Sequence, residues 1–201
     1  MTVTILKYSS CNLSSLSNCL NSIGVKYHIC LSAKDLEAAS IIILPGVGTF
    51  ESVIDEIKKN GTYNVIKKKA KNGCKIIGIC IGMQILAETG RELMSNRSKG
   101  LALIEGDVEK MKDFHIGWSQ LKSGLNCSKN LKKFINKNFY FNHSYYLNLK
   151  NKKIIKLYSL YDGIKIPSLI INKNIYGFQF HPEKSQIFGK KLLEYCIKEN
   201  L

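Results

Sequence analysis

Three side chains of this sequence have the types and order needed for acyl transfer through a thiol: Cys80, His181 and Glu183. Cys80 stands in Gly78-Ile79-Cys80-Ile81-Gly82-Met83-Gln84, where an apolar run ends in Gly-x-Cys-x-Gly and a short amphipathic segment follows. That pattern is the sequence form of a strained strand-to-helix turn that presents a single nucleophile. The flanking glycines are expected because such a turn leaves no room for a Cβ, and the helix start is expected to favour thiolate over thiol. A thiol nucleophile needs a base that can later protonate a leaving amine. His181 ends the apolar run Tyr176-Gly177-Phe178-Gln179-Phe180 and supplies that base. Glu183 follows two residues later, where a carboxylate can fix the imidazole tautomer and support the imidazolium. Pro182 stiffens the link between them.

The elements that must position these groups are legible from periodicity. Residues 2–6, 25–31, 41–44 and 75–79 read as strands; 12–23, 33–39, 51–59 and 65–71 read as helices. Leu13, Leu16, Leu20 and Ile23 share one face of the first helix, and Gly24 caps it. Between the third strand and its helix lies the glycine-rich loop Pro45-Gly46-Val47-Gly48-Thr49-Phe50. Strands alternating with helices at this spacing predict an α/β fold with a mostly parallel sheet flanked by helices. Beyond residue 101 the texture changes to β-branched and aromatic segments at 101–111, 115–121, 139–149 and 154–161, which predicts additional antiparallel strands. Segments 164–171 and 175–180 flank Asn172-Lys173-Asn174 as a hairpin. A last helix over 186–198 is expected to turn Ile187, Leu192, Leu193 and Cys196 to the core. No linker, repeat or low-complexity tract interrupts the chain, so residues 1–201 are read as one domain.

Composition narrows the class. Thirty Lys and Arg against fifteen Asp and Glu give a formal charge of +15. The excess is mostly lysine spread along periodic segments, with no zinc finger, aromatic RNA-binding motif or arginine-rich arm, so no nucleic-acid partner is expected. No apolar run approaches the ~20 residues of a membrane span, and the N-terminus lacks the pattern of a signal peptide. Seven scattered cysteines (11, 19, 30, 74, 80, 127 and 196) form no C-x-x-C pair, so neither a disulfide framework nor a metal site is indicated. A reduced, cytoplasmic setting without membrane or cofactor is the expectation.

Leu44-Pro45-Gly46-Val47-Gly48, the Gly78–Gln84 stretch and Gln179-Phe180-His181-Pro182-Glu183-Lys184-Ser185 together resemble the class I (triad) glutamine amidotransferases. With His115-Ile116-Gly117-Trp118 and Asn142-His143-Ser144-Tyr145-Tyr146 added, the chain more narrowly resembles the glutaminase subunits of imidazole glycerol phosphate synthases. The resemblance spans essentially the whole sequence. It implies a flavodoxin-like fold, hydrolysis of L-glutamine with no cofactor, and Cys80, His181 and Glu183 as nucleophile, base and orienting carboxylate. It further implies an oxyanion hole from the Ile81 N–H and a peptide at Val47 or Gly48. Gly46, Gln84, Glu92, His143, Ser144 and Tyr145 would hold the glutamine. Asn12, His115, Trp118 and Lys184 would lie toward a (β/α)8-barrel cyclase subunit that receives the ammonia as the other half of a heterodimer. The sequence departs from the pattern at Lys7-Tyr8-Ser9-Ser10-Cys11, where the family has an acidic residue and a glycine, and at Ser119, where it has Asn. Both stretches face the partner in the family. A client other than the histidine-pathway cyclase, such as amidino-sugar synthesis for surface glycans, therefore stays open, as do an inactive scaffold and a free-standing cysteine hydrolase.

Overall fold

The computed structural model describes residues 2–9, 11, 13–90 and 98–199. Its centre is an eight-stranded sheet. Strands β1 (Thr2–Leu6), β2 (Lys26–Cys30), β3 (Ile41–Leu44) and β4 (Lys75–Ile79) come from the first half of the chain. The second half supplies β8 (Lys122–Ser123), β10 (Ile155–Tyr161), β11 (Ile164–Asn172) and β12 (Ile175–Phe178). The order across the sheet is β2-β1-β3-β4-β12-β11-β10-β8. The five strands from β2 to β12 pair in parallel, and the remaining pairings are antiparallel. A second sheet, β6-β5-β7-β9, is built from β5 (Thr89–Gly90), β6 (Ser98–Lys99), β7 (Gly106–Gln120) and β9 (Asn138–Leu149). The expected parallel-rich α/β architecture with added antiparallel strands is therefore what the chain adopts.

Helices cover both faces of the large sheet because its strands are apolar on both sides. In β3, Ile42 and Leu44 point into one cluster and Ile41 and Ile43 into the other. The first cluster packs under α2 (Ala33–Glu37), α3 (Phe50–Lys59) and α4 (Thr62–Lys71); the second packs under α1 (Ser14–Ser22) and α6 (Gln186–Lys198). Thr49 starts α3 as an N-cap, accepting from the Ser52 N–H while the Ser52 hydroxyl accepts from the Thr49 N–H.

Several boundaries differ from the sequence reading. Helix α4 begins at Thr62, three residues before the periodic pattern, because Asn60 accepts from both the Thr62 N–H and hydroxyl. The segments expected at 101–111 and 115–121 are one long strand, β7, whose pairing with β9 breaks register between Lys110 and His115. Ile187 is 55% exposed rather than in the core. It precedes Cys196 by two and a half helical turns, which sets the two on opposite faces.

Candidate active site

Parallel pairing brings the chemistry together. Strands β3, β4 and β12 are neighbours in register, with Leu44 opposite Gly78 and Ile79 opposite Phe178. Their carboxyl ends therefore emerge side by side, and Gly46, Cys80 and His181 follow within three residues of the strand ends. A crevice at the carboxyl ends of parallel strands is the usual place for a site in such sheets.

Cys80 sits in the turn between β4 and α5 (Ile81–Gln84) with φ 49° and ψ −110°. That backbone conformation is costly for a residue with a side chain, on the order of 1–3 kcal/mol, and persists only when its surroundings impose it. Here the imposition is packing. A Cβ on Gly78 would lie 2.4 Å from the Gly82 carbonyl oxygen, and one on Gly82 would lie 2.0 Å from the Leu44 carbonyl oxygen. The end of β3 thus runs against the turn, and only glycine at both flanks lets the chain pass. Helix α5 is four residues long, so the dipole expected from the sequence shrinks to the N–H groups of one turn.

His181 is buried, and its Nδ1 lies 2.8 Å from Glu183 Oε1. That contact leaves the other ring nitrogen free to serve Cys80, whose charge acts on the imidazole. Burial on its own would discharge the imidazole. The charge of Cys80 and the Glu183 carboxylate outweigh burial and raise His181 to about 10. An imidazolium is therefore held between a sulfur and a carboxylate, ready to give up a proton. The base is fixed in space as well: its N–H donates to the Tyr140 carbonyl (2.9 Å), and its carbonyl accepts from the Ser185 hydroxyl (2.6 Å). Gly46 fits between the two reacting groups, where a Cβ would lie 3.0 Å from Cys80 Cβ and 3.1 Å from His181 Cε1.

These residues open onto a cavity of about 350 Å³, a size suited to a small molecule. Gly46, Val47, Gly48, Ile81, Gln84, His143, Ser144, Tyr145 and Lys184 all line it, so most of the expected site residues share one space. Phe114 and Asn142 line it too and were not anticipated; the Asn142 carbonyl oxygen is 3.8 Å from Cys80 Sγ. Glu92 and Asn12 lie outside the described residues. Trp118 is half-exposed on β7, edge-on to Tyr140, and Nζ of exposed Lys184 lies over the same Tyr140 ring. His115 is 1% exposed, stacked on Phe141 and Tyr161, and so lies beneath the surface on which Trp118 sits. From the N-terminal segment, the Tyr8 hydroxyl donates to the Pro45 carbonyl, and Ser9 binds both Glu56 oxygens at 2.7 and 2.6 Å. The segment that departs from the expected pattern is thus tied to the glycine loop and to α3.

Behind the cavity, His143 Nδ1 is 2.9 Å from the Tyr145 carbonyl oxygen, and His143 Nε2 is 3.1 Å from His115 Nδ1. His115 Nε2 in turn is 2.7 Å from the Ser119 hydroxyl. A carbonyl can only accept, so His143 carries its proton on Nδ1 and accepts at Nε2. His115 must then donate from Nδ1 and accept from Ser119. Burial lowers His115 to about 4 and, with His115 and His181 nearby, lowers His143 to about 3. Both are neutral where His181 is charged.

The glutamine amidotransferase class-I family model matches residues 5–199. The chain is 37% identical over 199 residues to imidazole glycerol phosphate synthase subunit HisH of Listeria innocua, across 96% of this chain and 93% of that one. It is 34% identical over 204 residues to imidazole glycerol phosphate synthase subunit HisH 2 of Methanococcus maripaludis, across 98% and 99%. Among solved structures, PurLQS from Thermotoga maritima shares the fold with a TM-score of 0.74, covering 98% of this chain and 97% of that one at 18% identity.

Proposed function

Because the chain belongs to the class-I glutamine amidotransferase family, we propose that it is the glutaminase subunit of an imidazole glycerol phosphate synthase. The observation that carries this reading is the Cys80–His181–Glu183 set, with Cys80 and His181 lining the cavity and Glu183 held against His181 Nδ1. The Cys80 thiolate attacks the side-chain carbonyl carbon of glutamine, and the oxyanion that forms takes hydrogen bonds from the Ile81 N–H and a peptide of the Val47-Gly48 turn. His181 passes its proton to the departing nitrogen as the C–N bond breaks, which releases ammonia and leaves a γ-glutamyl thioester. Water, deprotonated by the now neutral His181, then cleaves the thioester to give glutamate and restore the thiolate beside the His181 imidazolium. Glu183 holds the imidazole through Nδ1 in both halves of the cycle. Gly46, Gln84, His143, Ser144 and Tyr145 line the remaining wall and orient the glutamine. Both Nε2 protons of Gln84 are engaged, by the Tyr145 carbonyl at 2.7 Å and Gln179 Oε1 at 3.3 Å, so its carbonyl oxygen is the atom it offers to substrate.

Ammonia set free in bulk water would be protonated and lost as a nucleophile, so it passes to a (β/α)8-barrel cyclase subunit under cover. Phe114, Ile116 and Trp118 alternate along β7 and are 66, 60 and 49% exposed beside the mouth of the cavity. An apolar row of this kind marks a docking surface, and with Lys184 at its edge we assign it to the cyclase. The relatives named as subunits of imidazole glycerol phosphate synthase favour the histidine pathway as the client.

The test pairs the full chain with a histidine-pathway cyclase subunit. Glutamine-dependent formation of imidazole glycerol phosphate is expected, with Cys80→Ala abolishing it while ammonia-dependent formation persists. Glutamine hydrolysis by Cys80→Ala at the parent rate would overturn the mechanism. Failure of well-expressed protein to rescue a histidine auxotroph lacking this subunit would overturn the pathway and point to an amidino-sugar client.

A further inference from the structure

Gln179 is fully buried between β12 and the catalytic histidine, and nothing in the triad chemistry uses it. Its Nε2 lies 3.8 Å from Cys80 Sγ, within reach of an N–H···S contact. An amide side chain can be turned either way, so the identity of the atom facing sulfur needs an anchor. The Tyr145 main-chain carbonyl supplies one. It can only accept, so the Gln84 atom 2.7 Å away must be Nε2. The same nitrogen is 3.3 Å from the Gln179 side chain, so the atom it meets there must be Oε1. The other end of that amide, the end at sulfur, is then the NH₂ group. A backbone carbonyl two side chains away thus dictates that the nucleophile faces a donor.

We infer that Gln179 is a further catalytic residue, whose amide donates to the Cys80 thiolate and is locked in that orientation by Gln84. This rests on Cys80 being the nucleophile. The physical need is plain. His181 is the sulfur's charged partner, but its N–H must turn to the leaving group during the reaction, so a second donor that stays on the sulfur shares the stabilisation of the anion before attack and as it is released. A carboxamide has no proton to lose, is buried from competing water, and gives the sulfur a constant donor.

The experiment follows alkylation of Cys80 by iodoacetamide in the full-length chain without glutamine, resolved from the other cysteines by peptide mass spectrometry. Gln179→Met removes the donor at similar volume. Its Cys80 alkylation rate at pH 7 is expected to fall about tenfold, because the nucleophilic anion loses a charge-assisted hydrogen bond that stabilises it. Half-buried Cys127, far from the substitution in sequence, reacts equally in each and serves as the internal control. Equal Cys80 rates at pH 7 in a variant with the parent's circular dichroism and melting temperature would overturn the inference. Should Gln179→Met not fold, the ¹⁵N-labelled parent decides. Its Gln179 side-chain amide signals should move when Cys80 alone is alkylated, and signals that stay in place refute the contact. Since no glutamine is present, a chain that shows the Gln179 effect yet never hydrolyses glutamine would count against the glutaminase reading and leave this one standing.

Discussion

Lowering the pH from 7 to 5 should cost this fold much of its stability, and the histidine pair behind the cavity sets the size of the loss. His115 and His143 are held at about 4 and about 3 in the folded chain, against an ordinary value of about 6.5 in the unfolded one. Between those values the unfolded chain binds more protons than the folded one, so stability falls as pH falls. At pH 5 the unfolded histidines are almost fully protonated and the folded pair almost neutral, which amounts to about 2 kcal/mol each relative to pH 7 and about 4 kcal/mol together. His181 works in the opposite direction. Its folded value is raised to about 10, so its contribution is complete below about 6.5 and is lost as pH rises toward 10. Between pH 7 and 5 it returns only about 1 kcal/mol. A net loss near 3 kcal/mol is a large share of the roughly 5–15 kcal/mol that holds a typical domain together. Urea unfolding at the two pH values measures it. His115→Phe keeps a ring between Phe141 and Tyr161 but removes one of the two titrations, so its loss between pH 7 and 5 should be about 2 kcal/mol smaller than the parent's. Parent and variant with the same pH dependence, within about half a kcal/mol of extrapolation error, would refute the assignment of neutral histidines.

Three other perturbations test separate parts of the molecule. Lys75 is buried, with Nζ donating to the carbonyls of Cys196 (2.9 Å), Ile197 (3.0 Å) and Glu199 (2.6 Å), so it closes the C-terminal end of α6. Lys75→Met should destabilise the chain by about 2–4 kcal/mol in urea unfolding, since three carbonyls at a buried helix end lose their donor. Gly82→Ala places a Cβ against the Leu44 carbonyl; it should cost about 1–3 kcal/mol of stability through forced backbone shifts and slow Cys80 alkylation by displacing the turn. Trp118→Ala should leave stability within about 0.5 kcal/mol, as expected for a surface site. It should weaken binding to the barrel cyclase by about 2 kcal/mol, roughly thirtyfold in calorimetry, if this ring anchors the complex.

What could be read from the sequence, and what could not, divides along a physical line. The turn around Cys80 was legible because its glycines answer to backbone collisions, Gly78 with Gly82 and Gly82 with Leu44, and such collisions leave one acceptable residue type. The meeting of Cys80 with His181 follows from parallel pairing of β4 with β12, which the sequence did not announce, since strands alternate with helices only in the first half and 175–180 read as one arm of a hairpin. The inward turn of His115 was not legible. Along β7 the even positions Gly106 and Val108 are buried, then the odd positions Met111 and His115 are, so the strand changes parity at the break between Lys110 and His115. A bulge shifts every later side chain to the other face, and no local residue pattern announced this one. The same shift puts Phe114, Ile116 and Trp118 outside. One irregularity thus makes both the exposed apolar row and the buried histidine beneath it.

The protonation pattern completes the argument, because one residue type is held in two charge states within a single pocket. Three of the four histidines gather there. His181 has a thiol on one side and the Glu183 carboxylate on the other, and keeps its proton despite burial. His143 is equally buried but meets a main-chain carbonyl and a neutral imidazole, so nothing repays the cost of charging it. The distinction has a chemical use. In the glutamine hydrolysis we propose, a second imidazolium beside the cavity would compete with His181 for the thiolate and weaken its readiness to release a proton to the departing nitrogen. Keeping His143 and His115 neutral leaves His181 as the one charged imidazole of the three, which is the residue the proposed mechanism asks to deliver a proton.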